Sequence, residues 1–245
     1  MIELEAVRKV YPDGHVALRD VSLAIARGTT LALLGPSGCG KTTLLKLINR
    51  LLTPSAGRVR VDGRDIAGVD PVGLRRGMGF VVQDAGLFPH LSAVGNVEVV
   101  PRLLGWPAAR RLARARELFA LVRLDFDELA ERYPAQLSGG QRQRVGLARA
   151  LAADPPIVLM DEPFGALDPI TRRNLQNEFL ELKATLHKTM VLVTHDVEEA
   201  FRLADRVAVL NDGVVAQIGA PAEIRAAPAS PFVAALIGAA SASAR

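Results

Sequence analysis

The chain has 245 residues, 49% hydrophobic and 23% charged, with a formal charge of +4 and a single cysteine. This length and apolar share exclude a disordered or collagen-like chain, and the sequence predicts one large domain with room for an appendage. The lone Cys39 excludes a disulfide framework within the chain and suits a reducing compartment.

The longest apolar runs, such as Ile157 to Met160 and Val207 to Leu210, are strand-sized, far short of the ~20 residues of a spanning helix. The opening Met1-Ile2-Glu3-Leu4-Glu5 has no basic stretch followed by an apolar one, so no signal peptide is expected. The arginines are spread along the chain, which favours solvated helix faces over a nucleic-acid surface.

Taken in chain order, Ile2, Leu4 and Ala6 alternate with Glu3 and Glu5, predicting a half-buried strand with those three on one face. Pro12-Asp13-Gly14 makes a turn before a second alternating segment, Val16 to Ile25. Thr29 to Leu34 is apolar nearly throughout, as in a central strand covered on both faces. A glycine loop and a helix over Thr42 to Leu52 follow, then a small antiparallel piece at Val59 to Val61. Gly79 to Gln83 is another buried strand, and Ser92 to about Ala153 is mostly helical, with a helix predicted over Arg142 to Ala153. Ile157 to Asp161, Met190 to Thr194 and Val207 to Leu210 are short apolar strands separated by helices. Strands alternating with helices predict an α/β core with a mostly parallel sheet. The Ala- and Ser-rich end is predicted to fray over 239–245.

Gly35-Pro36-Ser37-Gly38-Cys39-Gly40-Lys41-Thr42 matches G-x-x-x-x-G-K-[ST] in full, between an apolar strand and a helix. Glycines let successive N–H groups turn inward around an anion, and the helix N-terminus adds a favourable dipole. Lys41 supplies a point charge for the β- and γ-phosphates, and the Thr42 hydroxyl is a Mg²⁺ ligand. The motif predicts a nucleoside triphosphate site. Cys39 is read as a small residue that fits the loop.

Asp161 and Glu162 end an apolar strand, where ligands bind in open α/β sheets. There Asp161 would hold Mg²⁺ through water, while Glu162 would polarise an attacking water. His195, after the strand Val191 to Thr194, is a further candidate for the γ-phosphate. Leu137-Ser138-Gly139-Gly140-Gln141 stands just before a helix and predicts a second anion-binding helix N-terminus.

Leu137 to Gln141 resembles the signature of the ABC-type ATPases, and over about Ile2 to Ile237 the other elements fall in that family's order. The resemblance implies a P-loop NTPase core with an N-terminal antiparallel β subdomain and an inserted helical subdomain, roughly 92–153, within a cassette spanning 1–238. It implies that Tyr11 stacks on adenine and that Gly35 to Thr43, including Pro36, Ser37, Gly38, Cys39 and Gly40, cradles ATP. Gln83 would be the switch glutamine and a Mg²⁺ ligand, and His195 the switch histidine. Asp168 would lie in the loop that meets the opposing subunit.

Such cassettes close head-to-tail on two ATP molecules. One copy's Lys41, Asp161, Glu162 and His195 would face the other's Ser138, Gly139, Gly140 and Gln141. The implied partners are a second copy, transmembrane permease subunits docked at Gly86 to Leu91, and, indirectly, an extracytoplasmic solute-binding protein. No nucleic-acid partner is expected, and the implied location is the cytoplasmic face of the cell membrane.

Lys46 to Leu51, Gly86 to His90, Val100 to Trp106 and Met160 to Arg172 are similar to importers of quaternary ammonium osmoprotectants such as glycine betaine, choline or carnitine. Importers of another small polar solute, or a non-transport ABC ATPase, are the alternatives. Asp84-Ala85 after the switch glutamine departs mildly from the usual pattern. C-terminal CBS regulatory modules, which many such ATPases carry, are not expected here.

Overall fold

The computed structural model describes residues 1–243, with side chains over 1–238. The elements, in order, are β1 (Ile2–Val10), β2 (Val16–Ile25), β3 (Thr30–Leu34), α1 (Lys41–Ile48), β4 (Ala56–Val61), β5 (Arg64–Asp65), α2 (Pro71–Arg76) and β6 (Met78–Val81). A helical stretch follows: α3 (Ala93–Val97), α4 (Val99–Leu103), α5 (Ala108–Leu121), α6 (Phe126–Leu129) and α7 (Gly139–Leu151). Then come β7 (Ile157–Asp161), α8 (Pro169–Leu186), β8 (Thr189–Thr194), α9 (Val197–Leu203), β9 (Arg206–Asn211), β10 (Val214–Gly219), α10 (Pro221–Ala226) and α11 (Pro231–Ser243). The tail expected to fray is helical in its backbone through Ser243, and its last part, 244–245, lies outside the described residues.

The chain divides into two compact units, Met1–Arg75 with Lys188–Arg245, and Arg76–His187. In the first, β1 pairs antiparallel with β2 and β4, and β4 with β5. The alternation expected for β1 breaks at Ala6. Ile2, Leu4 and Val7 are buried while Ala6 is exposed, because a bulge with Ala6 at φ 47° shifts the register after Leu4. An extra residue in one strand turns every later side chain to the other face.

β3 runs parallel between β8 and β9, and all its residues are buried. Strands covered on both faces read as continuous apolar runs. Ala32 and Leu34 of β3 share a core with Val197, Ala200, Val207, Val209, Ile224 and Val233. β10 returns antiparallel to β9 through Asp212-Gly213, both at positive φ, the residue pair that tight hairpin turns favour.

In the second unit β6 and β7 run parallel, with the helical stretch between them. α7 packs on β6, α3 and α5. The approach is close at Gly79, where a Cβ would come within 2.4 Å of the Ala150 carbonyl oxygen. Phe164 meets Phe179 of α8 edge-on, at a centroid distance of 6.1 Å. α7 starts at Gly139, earlier than the expected Arg142, because Ser138 caps it. Among the described residues no helix is long and apolar enough to cross a membrane.

Candidate nucleotide site

In the first unit Leu34 pairs with Thr194 of β8 and Val209 of β9, so the chain leaves β3 at Gly35 between two neighbouring strand ends. Space dictates glycine at two positions of the loop. A Cβ on Gly35 would lie 2.3 Å from the Leu210 carbonyl oxygen and 2.8 Å from Cys39 Sγ. A Cβ on Gly40, at φ 103°, would lie 2.5 Å from the Ala17 carbonyl oxygen and 2.7 Å from Leu18 Cδ2.

Gly40 is also the N-cap of α1, so that helix starts with no side-chain cap and no acid in its first turn. By contrast α3, α7, α8 and α9 are capped by Ser92, Ser138, Asp168 and Asp196. No N-cap side chain thus occupies the start of α1, and the dipole of the helix favours an anion there. Lys41 is buried, and its Nζ donates to the carbonyl oxygens of Gly35 at 2.7 Å and Pro36 at 2.8 Å. These bonds lay the ammonium along the loop, beside the uncapped turn. Burial pushes the Cys39 thiol above its ordinary value against the opposing pull of Lys41, which disfavours a thiolate nucleophile.

The Tyr11 hydroxyl and Thr43 Oγ1 lie 3.1 Å apart, tying the segment after β1 to α1. The Tyr11 ring stacks against His15 at a centroid distance of 6.2 Å. His195 is exposed just past Thr194, whose Oγ1 accepts from the Asp196 amide at 3.0 Å. Of the residues predicted from sequence, this unit thus brings together Tyr11, Gly35 to Thr43 and His195.

In the second unit Val81 pairs with Met160, so Gln83 and the Asp161-Glu162 pair leave the same ends of adjacent parallel strands. Gln83 is exposed. Glu162 has φ 47°, a left-handed turn straight after β7, and its carbonyl accepts from the Gly165 amide at 3.2 Å. Ser138 and Gln141 cap one another reciprocally. The Gln141 amide donates to Ser138 Oγ at 3.2 Å, and the Ser138 amide to Gln141 Oε1 at 2.8 Å. The capping uses those two side chains and leaves the first amides of α7, on Gly139 and Gly140, without intrahelical partners.

Asp168 caps α8, accepting from the amides of Ile170 at 3.1 Å and Thr171 at 3.0 Å. The Thr171 hydroxyl, then its amide, hold the Asp168 carboxyl below its ordinary value. A Cβ on Gly140 would lie 2.9 Å from Thr171 Cγ2, so the Ser138 and Asp168 turns pack together.

Sequence reasoning missed two residues here. Asn96 is fully buried and clamps the loop before α3. Its Oδ1 accepts from the Phe88 amide at 2.8 Å, and its Nδ2 donates to the carbonyls of Phe88, Leu91 and Ser92, each at 3.1 Å. Arg149 of α7 donates to the carbonyls of Ala85 and Gly86. The only signal for either was a polar residue inside an apolar stretch.

The sequence profile of the ABC transporter family matches residues 18–165, a span holding Gly35 to Thr43, Gln83, Ser138 to Gln141, Asp161 and Glu162. The chain belongs to the ABC transporter family. The cassette is 54% identical over 238 residues to the choline transport ATP-binding protein OpuBA of Bacillus subtilis (strain 168). It is equally similar to the glycine betaine/carnitine/choline transport ATP-binding protein OpuCA of the same organism. Each alignment covers 97% of the cassette and 62% of the relative, so the chain spans less than two thirds of either protein. Among solved structures it resembles the ATP-binding cassette MJ0796 in a dimeric post-hydrolysis state bound to ADP and Pi. The TM-score is 0.80 at 38% identity, covering 90% of this chain and 99% of that one.

Proposed function

We propose that the cassette hydrolyses ATP to power an importer of a quaternary ammonium osmoprotectant such as glycine betaine, choline or carnitine. The observation that carries the nucleotide reading is the uncapped start of α1 with Lys41 Nζ held along the loop by two carbonyls. The names of the relatives at 54% identity support the solute class.

In this reading Tyr11 stacks on adenine, while Gly35 to Thr43 receives the phosphates on the amides of the loop and of α1. Lys41 neutralises charge at the β- and γ-phosphates. Glu162 accepts a proton from the attacking water, and His195 donates to the γ-phosphate, where charge accumulates on the equatorial oxygens. A threonine hydroxyl, a carboxylate and an amide oxygen, together with the substrate's own phosphates, are the hard oxygen donors that Mg²⁺ takes. Thr42, Asp161 and Gln83 would hold Mg²⁺, which neutralises phosphate charge when bound.

A second copy supplies its Ser138 to Gln141 turn, with the Gly139 and Gly140 amides at the start of α7, to the same γ-phosphate, and its Asp168 turn lies at the junction. ATP then bridges two chains, and hydrolysis removes the group that both hold. Gly86 to Leu91, with Phe88 exposed, docks the transmembrane permease subunits on the cytoplasmic face of the membrane, and an extracytoplasmic solute-binding protein delivers the solute. The test is reconstitution in liposomes with permease and solute-binding protein. ATPase activity should rise with glycine betaine or choline and vanish in Lys41→Ala. Stimulation by an amino acid, sugar or inorganic anion alone contradicts the solute class, and an active Lys41→Ala contradicts the nucleotide site.

A further inference from the structure

Asp84, Ala85 and Gly86 follow one another at φ 58°, 61° and 52°, three left-handed residues in a row. Residues with a side chain adopt this conformation singly and at a cost, so surrounding structure must hold it. That structure is α7. Arg149, in its last turn, donates through Nη2 to the Ala85 carbonyl at 2.7 Å and through Nη1 to the Gly86 carbonyl at 2.8 Å. Its guanidinium carbon also lies 5.7 Å from the centre of the Phe88 ring.

Ala85 is fully buried, and a Cβ on Gly146 of α7 would come within 3.0 Å of its Cβ. The helix therefore approaches the turn as closely as a glycine permits. Burial lowers the Arg149 pKa from its ordinary value, yet a guanidinium stays charged, and its planar fork fits two neighbouring carbonyls as an ammonium does not.

We propose that Arg149 is a positioning residue that locks the left-handed turn at Asp84–Gly86, fixing Gln83 on one side and Phe88 on the other relative to α7. The helix it locks them to is the one that begins at Gly139, capped by Ser138. Eleven residues at ~1.5 Å rise separate the lock from that cap, so a push on Phe88 reaches the signature turn as motion of one rigid rod. Without the fork, the same push is lost in the loop. The inference rests on the proposed roles of Gln83 in turnover and Phe88 in docking.

Arg149→Lys keeps the cation in the last helical turn and removes the fork. In the reconstituted transporter it should leave the KM for ATP within about twofold, while solute-stimulated kcat falls about tenfold. In the isolated chain, amide exchange should rise over 84–88. Adding Ala85→Gly, which takes positive φ freely, should restore much of the stimulated rate. Wild-type stimulation with unchanged exchange over 84–88 in Arg149→Lys overturns the proposal. So does a loss of rate that follows thermal stability and is not rescued by Ala85→Gly. The exchange measurement needs no ATP, so a wild-type chain that hydrolyses none contradicts the ATPase reading and leaves the lock to be judged by exchange.

Discussion

Leu34 and Thr194 face each other on parallel strands, so Gly35 and His195 leave the sheet as neighbours at the same end. This register is how a short apolar strand places chemistry. Backbone pairing fixes the level of the strand ends, and the next residues inherit it. The same logic acts in the second unit, where Val81 opposite Met160 sets Gln83 beside the Asp161-Glu162 pair. Carboxyl ends of parallel strands are where open α/β sheets bind ligands.

The loop glycines separate packing from ligand contact. Gly40→Ala drives a Cβ into the Ala17 carbonyl oxygen at 2.5 Å, whereas a Cβ on Gly38, φ 79°, meets nothing within 4 Å. Gly38→Ala should therefore cost only the left-handed strain, about 1 kcal/mol, and Gly40→Ala clearly more. Urea unfolding of both variants checks the order. Equal losses would contradict it.

What the sequence made legible follows the physics of each feature. The strands β3, β7, β8 and β9 stood out because burial on both faces demands unbroken apolar runs. The phosphate loop stood out because close backbone approach demands glycine at Gly35 and Gly40. The bulge at Ala6 was hidden, since nothing in Glu5-Ala6-Val7 distinguishes an extra residue from plain alternation. β10 was overlooked because its half-buried Val214–Gly219 has weak alternation, although Asn211-Asp212-Gly213 carried a turn signal. The start of α7 was written in Ser138 and Gln141 as a capping box, but two poor helix formers, Gly139 and Gly140, masked it. Asn96 and Arg149 were invisible as anchors because their partners are backbone carbonyls and amides, which residue identity does not reveal.

Asn96→Ala would strand the Phe88 amide and the Leu91 carbonyl that its side chain now satisfies, while the Phe88 and Ser92 carbonyls keep the backbone amides of Leu91 and residue 96. Each buried polar group left unpaired costs about 1–3 kcal/mol, less where the loop relaxes to water, so a loss of roughly 2–4 kcal/mol is expected. Chemical denaturation measures it. A change below about 0.5 kcal/mol, the size of an ordinary surface substitution, would remove Asn96 as the loop's clamp.

Asp168 gives a pH signature with a definite sign. The Thr171 hydroxyl and amide hold its folded carboxyl below the unfolded value, so it stabilises the fold when ionised. That contribution is complete above the ordinary Asp value of about 3.9 and fades as pH falls through the lower folded value. The urea midpoint of Asp168→Ala should therefore lie below wild type near neutral pH, and the gap should close on acidification below about 4. A gap that stays constant through that range would show that the cap does not act through its charge.

In the proposed cycle ATP joins two copies of this chain, and Glu162 then releases them through hydrolysis. Glu162→Gln keeps the side chain's size and hydrogen bonding and removes the base. Sedimentation velocity of Glu162→Gln with and without ATP tests this directly. A stable dimer is expected only when ATP is present, in a variant that turns over far more slowly than wild type. A chain that remains monomeric at saturating ATP contradicts it.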